Sequence, residues 1–271
     1  MAEPDERGPG DDSTVTWREL IAQTAAVIGD RVHARWLCEV ASAADDADDL
    51  AARLDEPATV RMVSHLDAMV GRYRAGEPLQ YVLGEWGFRR LTLAVDARVL
   101  IPRPETELVA EVAIAKAAAE KVKVGDPQAD VSPDALDVAR ANLAGTGPAG
   151  VNVRIGQGSW FDAVPDDVRF DVIVANPPYV AEGSPEVDDA VADWEPTTAL
   201  YAGRDGLDDI RVLIAEAPEH LVPGGWLILE IGADQGAVAV ALMRGRGYAD
   251  VELRRDLAGR DRIVLGRTGD A

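Results

Sequence analysis

The sequence predicts an α/β domain, its sheet mostly parallel with an antiparallel end, preceded by a small all-helical domain. Three observations carry this. Residues 14–83 place apolar side chains at helical spacing, broken by short polar loops. From residue 132 onward, helical segments alternate with short apolar runs, the pattern of strands joined by crossover helices. The last two runs, "DVELRRDL" and "DRIVLGR", are separated only by "AGR", too short for a crossover, so that pair is antiparallel.

In the first part, Trp17, Leu20, Ile21 and Ile28 fall on one helix face, with Thr24 the one polar residue among them. Ser13, Thr14 or Thr16 is available as its cap. "RVHARWLCEVASA" reads as a second helix. "ADDADDLAARL" is a third, whose aspartates suit the positive end of the helix dipole. "ATVRMVSHLDAMVGRYRAG" is a fourth, ended by Gly76. Residues 1–13 are acidic and turn-rich and read as a disordered tail, which leaves residues 14–84 as the helical domain.

Residues 85–101 read as a linker hairpin, with strands at Trp86–Leu93 and Val99–Ile101. Residues 102–271 form the second domain. Its first helix starts at Pro104 with acids in the first turn and runs through "PETELVAEVAIAKAAAE". "SPDALDVARANLAG" is a helix with Ser132 as cap, Pro133 in the first helical position and Gly145 near its end. "VNVRIGQG" is a strand and "FDVIVAN" a buried one. "GLDDIRVLIAEAPEHLV" is a helix, Pro223-Gly224-Gly225 a turn, "WLILEIG" a buried strand and "DQGAVAVALMRGRGY" a helix before the final pair.

Composition narrows the function classes. The chain of 271 residues is 47% hydrophobic, ample for a packed core, and has no apolar run long enough to span a membrane. One cysteine, Cys38, excludes an internal disulfide and any multi-cysteine metal site, and the three histidines are scattered singly, so no metal is expected. The start of the chain lacks the pattern of a secretory signal, so a cytoplasmic enzyme is expected, acting as a monomer. A net charge of -21 argues against a duplex DNA partner, because such affinity rests on phosphate neutralisation.

"FDVIVANPPYV" is the most informative stretch. Two prolines end a strand and remove two backbone donors. Asn176 adds an amide acceptor and donor at the carboxyl end of that strand, where open α/β sheets bind ligands. Asn176 and the carbonyls of a rigid proline corner can accept both hydrogens of a planar NH2 group, with Tyr179 packed flat against it. Held this way, a poor nitrogen nucleophile is oriented, and positive charge developing on it is stabilised, without a general base. The matching electrophile is a methyl group on a sulfonium. A named tetrapeptide arises by chance in a chain this long about once in a thousand.

With "NPPY" after an apolar strand, the chain resembles methyltransferases that act on planar nitrogens. "GEPLQYVLGEWGF", "LIPRPETE", "SPDALDVARANLAG", "GSWFDA", "WEPTTALYAGRDGLD" and "PGGWLILEIGADQG" extend the resemblance, from about Arg35 to Arg267, to the release-factor glutamine N5-methyltransferases, the HemK/PrmC family. The resemblance implies a helical domain that docks the release factor and a Rossmann-like class I methyltransferase domain using S-adenosylmethionine. The implied reaction, in translation termination, methylates the glutamine of a Gly-Gly-Gln loop in peptide chain release factors. Asn176, Pro177, Pro178 and Tyr179 would hold that glutamine, Asn176 also lying beside the cofactor. Asp130 would bind the ribose hydroxyls, and Trp160 would flank the adenine. Ser159 stands where many relatives carry Asp, in reach of the adenine amino group.

In one place the chain departs from the family pattern. The family has a strand and a Gly-rich loop between "RPETE" and the ribose acid; here only "LVAEVAIAKAAAEKVKVGDPQAD" stands there, with Gly125 its one glycine. About twenty residues are absent near 120–129, by typical strand, loop and helix lengths. "KVKVGD" could be a short strand and turn. Three accounts are open: a damaged or misassembled gene product, a release-factor binding module without catalysis, or a substitute strand with weak cofactor binding. An amino-methyltransferase on nucleic acid bases is a further alternative, since an aryl amine fits the same corner.

Overall fold

The computed structural model describes residues 14–120, 127–184 and 193–269, so the expected tail at 1–13 and the "KVKVGD" segment lie outside the described residues. The chain divides into two compact units, residues 1–83 and 84–271.

The first unit is helical: α1 (Trp17–Ile28), α2 (Arg31–Ser42), α3 (Ala47–Ala52), α4 (Val60–Arg74) and a short α5 (Leu79–Leu83) that periodicity did not reveal. The first four are each capped by a side chain, Thr16, Asp30, Asp46 and Thr59 in turn. Thr16 and Glu19 form a reciprocal capping box. Trp17, Leu20, Leu37, Leu50, Leu66 and Met69 make one core. Thr24, the polar residue in the α1 stripe, is buried and bonds to Cys38, whose thiol burial pushes up to about 12.

The second unit opens with a hairpin, β1 (Glu85–Phe88) and β2 (Leu91–Ala94), paired from Glu85↔Ala94 to Phe88↔Leu91. This corrects the expected strand Trp86–Leu93, which instead folds back on itself. Arg89 takes a left-handed backbone (φ 55°), and its N–H donates to Glu107 Oε1 at 3.0 Å, which fixes the reversal. Val99–Ile101 is not a strand either. The Asp96 carboxylate accepts the Arg98 N–H at 3.0 Å, and Val99 N–H bonds to the Asp96 carbonyl, so the chain turns there.

There follow α6 (Pro104–Ala119), β3 (Pro127–Asp130), α7 (Pro133–Gly145), β4 (Arg154–Gln157), β5 (Phe170–Ala175), α8 (Asp208–His220), β6 (Leu221–Glu230), α9 (Gly236–Arg246), β7 (Ala249–Arg255) and β8 (Asp261–Arg267). The main sheet has the order β5-β6-β8-β7. Strands β5 and β6 are parallel, and β8 and β7 form the antiparallel end. Alternate β6 residues serve two layers. Trp226 and Ile228 pack with Val109 and Val112 of α6. Leu227 and Leu229 pack with Ile210, Leu213 and Ile214 of α8 and Ala239 and Met243 of α9. The expected turn at Pro223-Gly224-Gly225 is a bulge within β6, where the register slips from Phe170↔Leu221 to Val172↔Trp226.

Strands β3 and β4 pair in parallel as a separate two-stranded sheet. Among the described residues β5 therefore has a neighbour on one side only. "FDVIVAN" was expected to be buried; only Phe170 is, and Val174 is 49% exposed. A strand at an edge leaves part of its apolar surface, and alternate backbone groups, without cover.

Candidate functional site

Ala175 pairs with Leu229 across β5 and β6, which sets Asn176 level with Glu230 at the carboxyl edge of the sheet. Glu230 shares the face of Trp226 and Ile228, the face α6 covers, and is 0% exposed. Its Oε2 accepts the Thr106 hydroxyl, from the first turn of α6, at 2.7 Å. Its Oε1 accepts the Tyr179 hydroxyl at 3.3 Å. Thr106 has thus given its hydrogen to Glu230, and its oxygen accepts from Asn176 Nδ2 at 3.2 Å. This polarity assigns the Asn176 amide, whose Oδ1 is then turned away from Thr106 as an acceptor for a ligand.

Burial raises the Glu230 pKa above its ordinary value, against the pull of Thr106, Tyr179 and Arg262. The Tyr179 phenol is pushed up to about 12, by burial first and by the Glu230 charge second. The Arg262 guanidinium lies 5.9 Å from the Tyr179 ring centroid and donates to the Ile231 carbonyl at 3.1 Å.

The corner's backbone is held as firmly as its side chains. Gln235 Nε2 donates to the carbonyls of Tyr179 and Gly206, both at 3.0 Å, while Gln235 Oε1 accepts the Gly232 N–H at 2.8 Å. Gly206 has φ +71°, and a Cβ there would lie 2.3 Å from the Tyr179 carbonyl oxygen. Beyond the corner, Val180 N–H bonds to Leu200 O and Ala202 N–H to Val180 O. Arg103 pairs with the buried Glu195, tying the start of α6 to the "WEPTTAL" segment.

The residues expected around the adenosine lie apart from this group. Asp130 ends β3, is exposed, and accepts the Ser132 N–H at 2.8 Å; its carbonyl accepts the Gly158 N–H at 3.1 Å. Ser159 and Trp160 follow directly. Ser159 is exposed, and Trp160, in a left-handed backbone (φ 49°), packs against the α8 core and donates its indole N–H to Asp209 Oδ1 at 2.8 Å. So Asn176 and Tyr179 come together with Thr106, Glu230 and Gln235, and Asp130, Ser159 and Trp160 come together near β4. Pro177 is buried and Pro178 half-buried between the two corner side chains. Asp130 and Asn176 stand on different sheets.

Sequence reasoning missed Thr106, Gly206, Glu230 and Gln235 as parts of this site. For Glu230 a signal was present: an acid inside the apolar run "LILEIG" has to find hydrogen-bond partners. Of the groups expected around S-adenosylmethionine, a ribose acceptor and an aromatic face are present in Asp130 and Trp160; among the described residues no strand with a glycine-rich turn stands between α6 and β3 to face the methionine half.

Residues 18–84 match the family model of the PrmC N-terminal domain. The chain is similar to the release factor glutamine methyltransferase of Pseudomonas aeruginosa, 41% identical, with 74% of this chain and 79% of that protein covered. It is also similar to the protein of the same name from Geobacter sulfurreducens, 35% identical over 260 residues, with 88% of this chain and 90% of that protein covered. That match occupies 88% of 271 residues, or about 238, so about 20 of its 260 aligned positions face no residue of this chain. Among solved structures, the protein-(glutamine-N5) methyltransferase (release factor-specific) from Alicyclobacillus acidocaldarius is 26% identical with a TM-score of 0.37, covering 62% of this chain and 94% of that chain. On the strength of the sequence relatives, the chain belongs to the release factor glutamine methyltransferase family.

Proposed function

We propose that the corner Asn176–Tyr179 is the acceptor site for N5-methylation of a glutamine, in the Gly-Gly-Gln loop of peptide chain release factors. The observation that supports this is the fixed polarity from Glu230 through Thr106 to Asn176, which presents Oδ1 as an acceptor. Asn176 Oδ1 and a backbone carbonyl of the proline pair accept the two hydrogens of the glutamine amide. Tyr179, tied to Glu230 and by its own carbonyl to Gln235, packs against the amide plane. The nitrogen is thereby oriented, and positive charge developing on it meets acceptors instead of a base. S-adenosylmethionine supplies, in the family's reaction, an electrophilic methyl group on a sulfonium; in this chain Asp130, Ser159 and Trp160 are the residues that would meet its adenosine. The helical unit docks the release factor, and the reaction belongs to the cytoplasm, with the chain acting as a monomer. No helix among the described residues is long and apolar enough to cross a membrane.

The test is titration of the full chain with a release factor carrying glutamine or glutamate in that loop. A glutamate carboxylate brings no hydrogens to the two acceptors, so it should bind about tenfold more weakly, the equivalent of about one net hydrogen bond. Asn176→Ala should erase the difference. Equal affinities for the two release factors with the unaltered chain would contradict the acceptor reading.

A further inference from the structure

We propose that this chain holds the glutamine loop but takes up no S-adenosylmethionine, because the described residues include no strand and glycine-rich turn between α6 and β3 to carry the donor site. The inference rests on the acceptor reading above for its first half only. Four observations carry the second half. The sheet is parted among the described residues: β3 and β4 pair with each other, β5 begins a second sheet, and Asp130 at the end of β3 and Asn176 at the end of β5 stand on different sheets. Val174 pairs with Ile228 of β6 on one side, has no described strand on the other, and its side chain is 49% exposed. About 20 aligned positions of the Geobacter relative have no counterpart here.

The fourth observation is a matter of chain length. Only residues 120–126 separate the end of α6 from the start of β3. A strand parallel to β3 must return to it through a crossover of about a dozen residues or more. Those seven residues cannot supply both the strand and the crossover. In open α/β sheets, a ligand spanning the crevice outside the strand ends rests on the turn after a central strand. There, glycines let backbone N–H groups approach it. Without such a strand among the described residues, no turn lies beside Asp130 to carry a ligand from β3 to the corner. A chain with this composition occupies the glutamine of its partner without changing it.

Three titrations of the full chain test this: with S-adenosylmethionine, with S-adenosylhomocysteine, and with the release factor in its glutamine and glutamate forms. A variant with a strand and glycine-rich loop inserted after Glu120 is titrated alongside. The expected result is no saturable heat with either nucleoside up to about 1 mM. Glutamine-preferring binding of the release factor is expected to persist, and the variant is expected to gain nucleoside binding at micromolar strength. Saturable nucleoside binding by the unaltered chain would overturn the proposal, as would a cooperatively folding variant that gains none. Loss of the glutamine preference, or a chain that melts without a cooperative transition, would overturn the acceptor half and leave the nucleoside result to judge the missing strand by itself.

Discussion

Gly206→Ala is expected to lower the stability of the second unit by about 3 kcal/mol. Two costs combine. A left-handed backbone costs an L-residue about 1–2 kcal/mol, and Gly206 has φ +71°. The added Cβ would also sit 2.3 Å from the Tyr179 carbonyl oxygen, a backbone atom that cannot rotate aside, and overpacking of this kind costs about 1–3 kcal/mol. Relief of the clash requires Tyr179 or Gly206 to move, and Gln235 bonds to the carbonyls of both. The change should therefore loosen the corner as well as the fold. Denaturant unfolding measures the stability loss. An unchanged midpoint would show that the Tyr179 carbonyl is not held where Gln235 and Gly206 place it.

Glu230→Gln should make the protein more stable than its parent, increasingly so as pH rises above 4.5, the ordinary value for this carboxyl group. Burial raises the folded-state pKa of Glu230. A raised pKa means that the folded state binds the proton more tightly than the unfolded state. The stability this contributes is fully present below the ordinary value and is lost as pH rises through the folded one. Glutamine does not titrate and keeps the neutral form at every pH. A gain of about 1 kcal/mol corresponds to about 2–4 °C in Tm for a domain of this size. Melting curves at several pH values measure it. A constant gap between the two proteins would mean that Glu230 does not titrate with folding. A gap that closes with rising pH would mean that its partners, Thr106, Tyr179 and Arg262, outweigh burial. The substitution also probes the corner, because the amide offers only one acceptor oxygen to the two hydroxyls that Glu230 now accepts.

Much of this fold was legible because its signals were local. Caps at Thr16 and Ser132, Pro133 at a helix start and the alternation of apolar runs placed the helices and most strands. The β1–β2 reversal was not legible, because no glycine or asparagine marks it; Arg89 takes the left-handed turn with help from Glu107, eighteen residues on. Helix α5 is too short to show a period. The burial of β5 was misjudged for a different reason. An apolar run says that a strand expects cover on both faces, and "FDVIVAN" does say so; whether the chain supplies it is a property of the whole fold. The site divided along the same line. Asn176, Pro177, Pro178 and Tyr179 stood out as a contiguous, improbable word. Thr106, Gly206, Glu230 and Gln235 join it from positions far apart in sequence, and only the alignment of β5 with β6 and the packing of α6 bring them together.

The central claim is that the sheet is one strand short at β5, and amide hydrogen exchange along Phe170–Ala175 tests it without any ligand. Successive N–H groups of a parallel strand point alternately to its two sides. The groups that face β6 should be protected. Those between them should exchange close to the rate of exposed backbone, because among the described residues no strand lies on that side to accept them. Strong protection at every β5 amide would mean that a second neighbour is in place, and the account of a missing donor strand would be wrong.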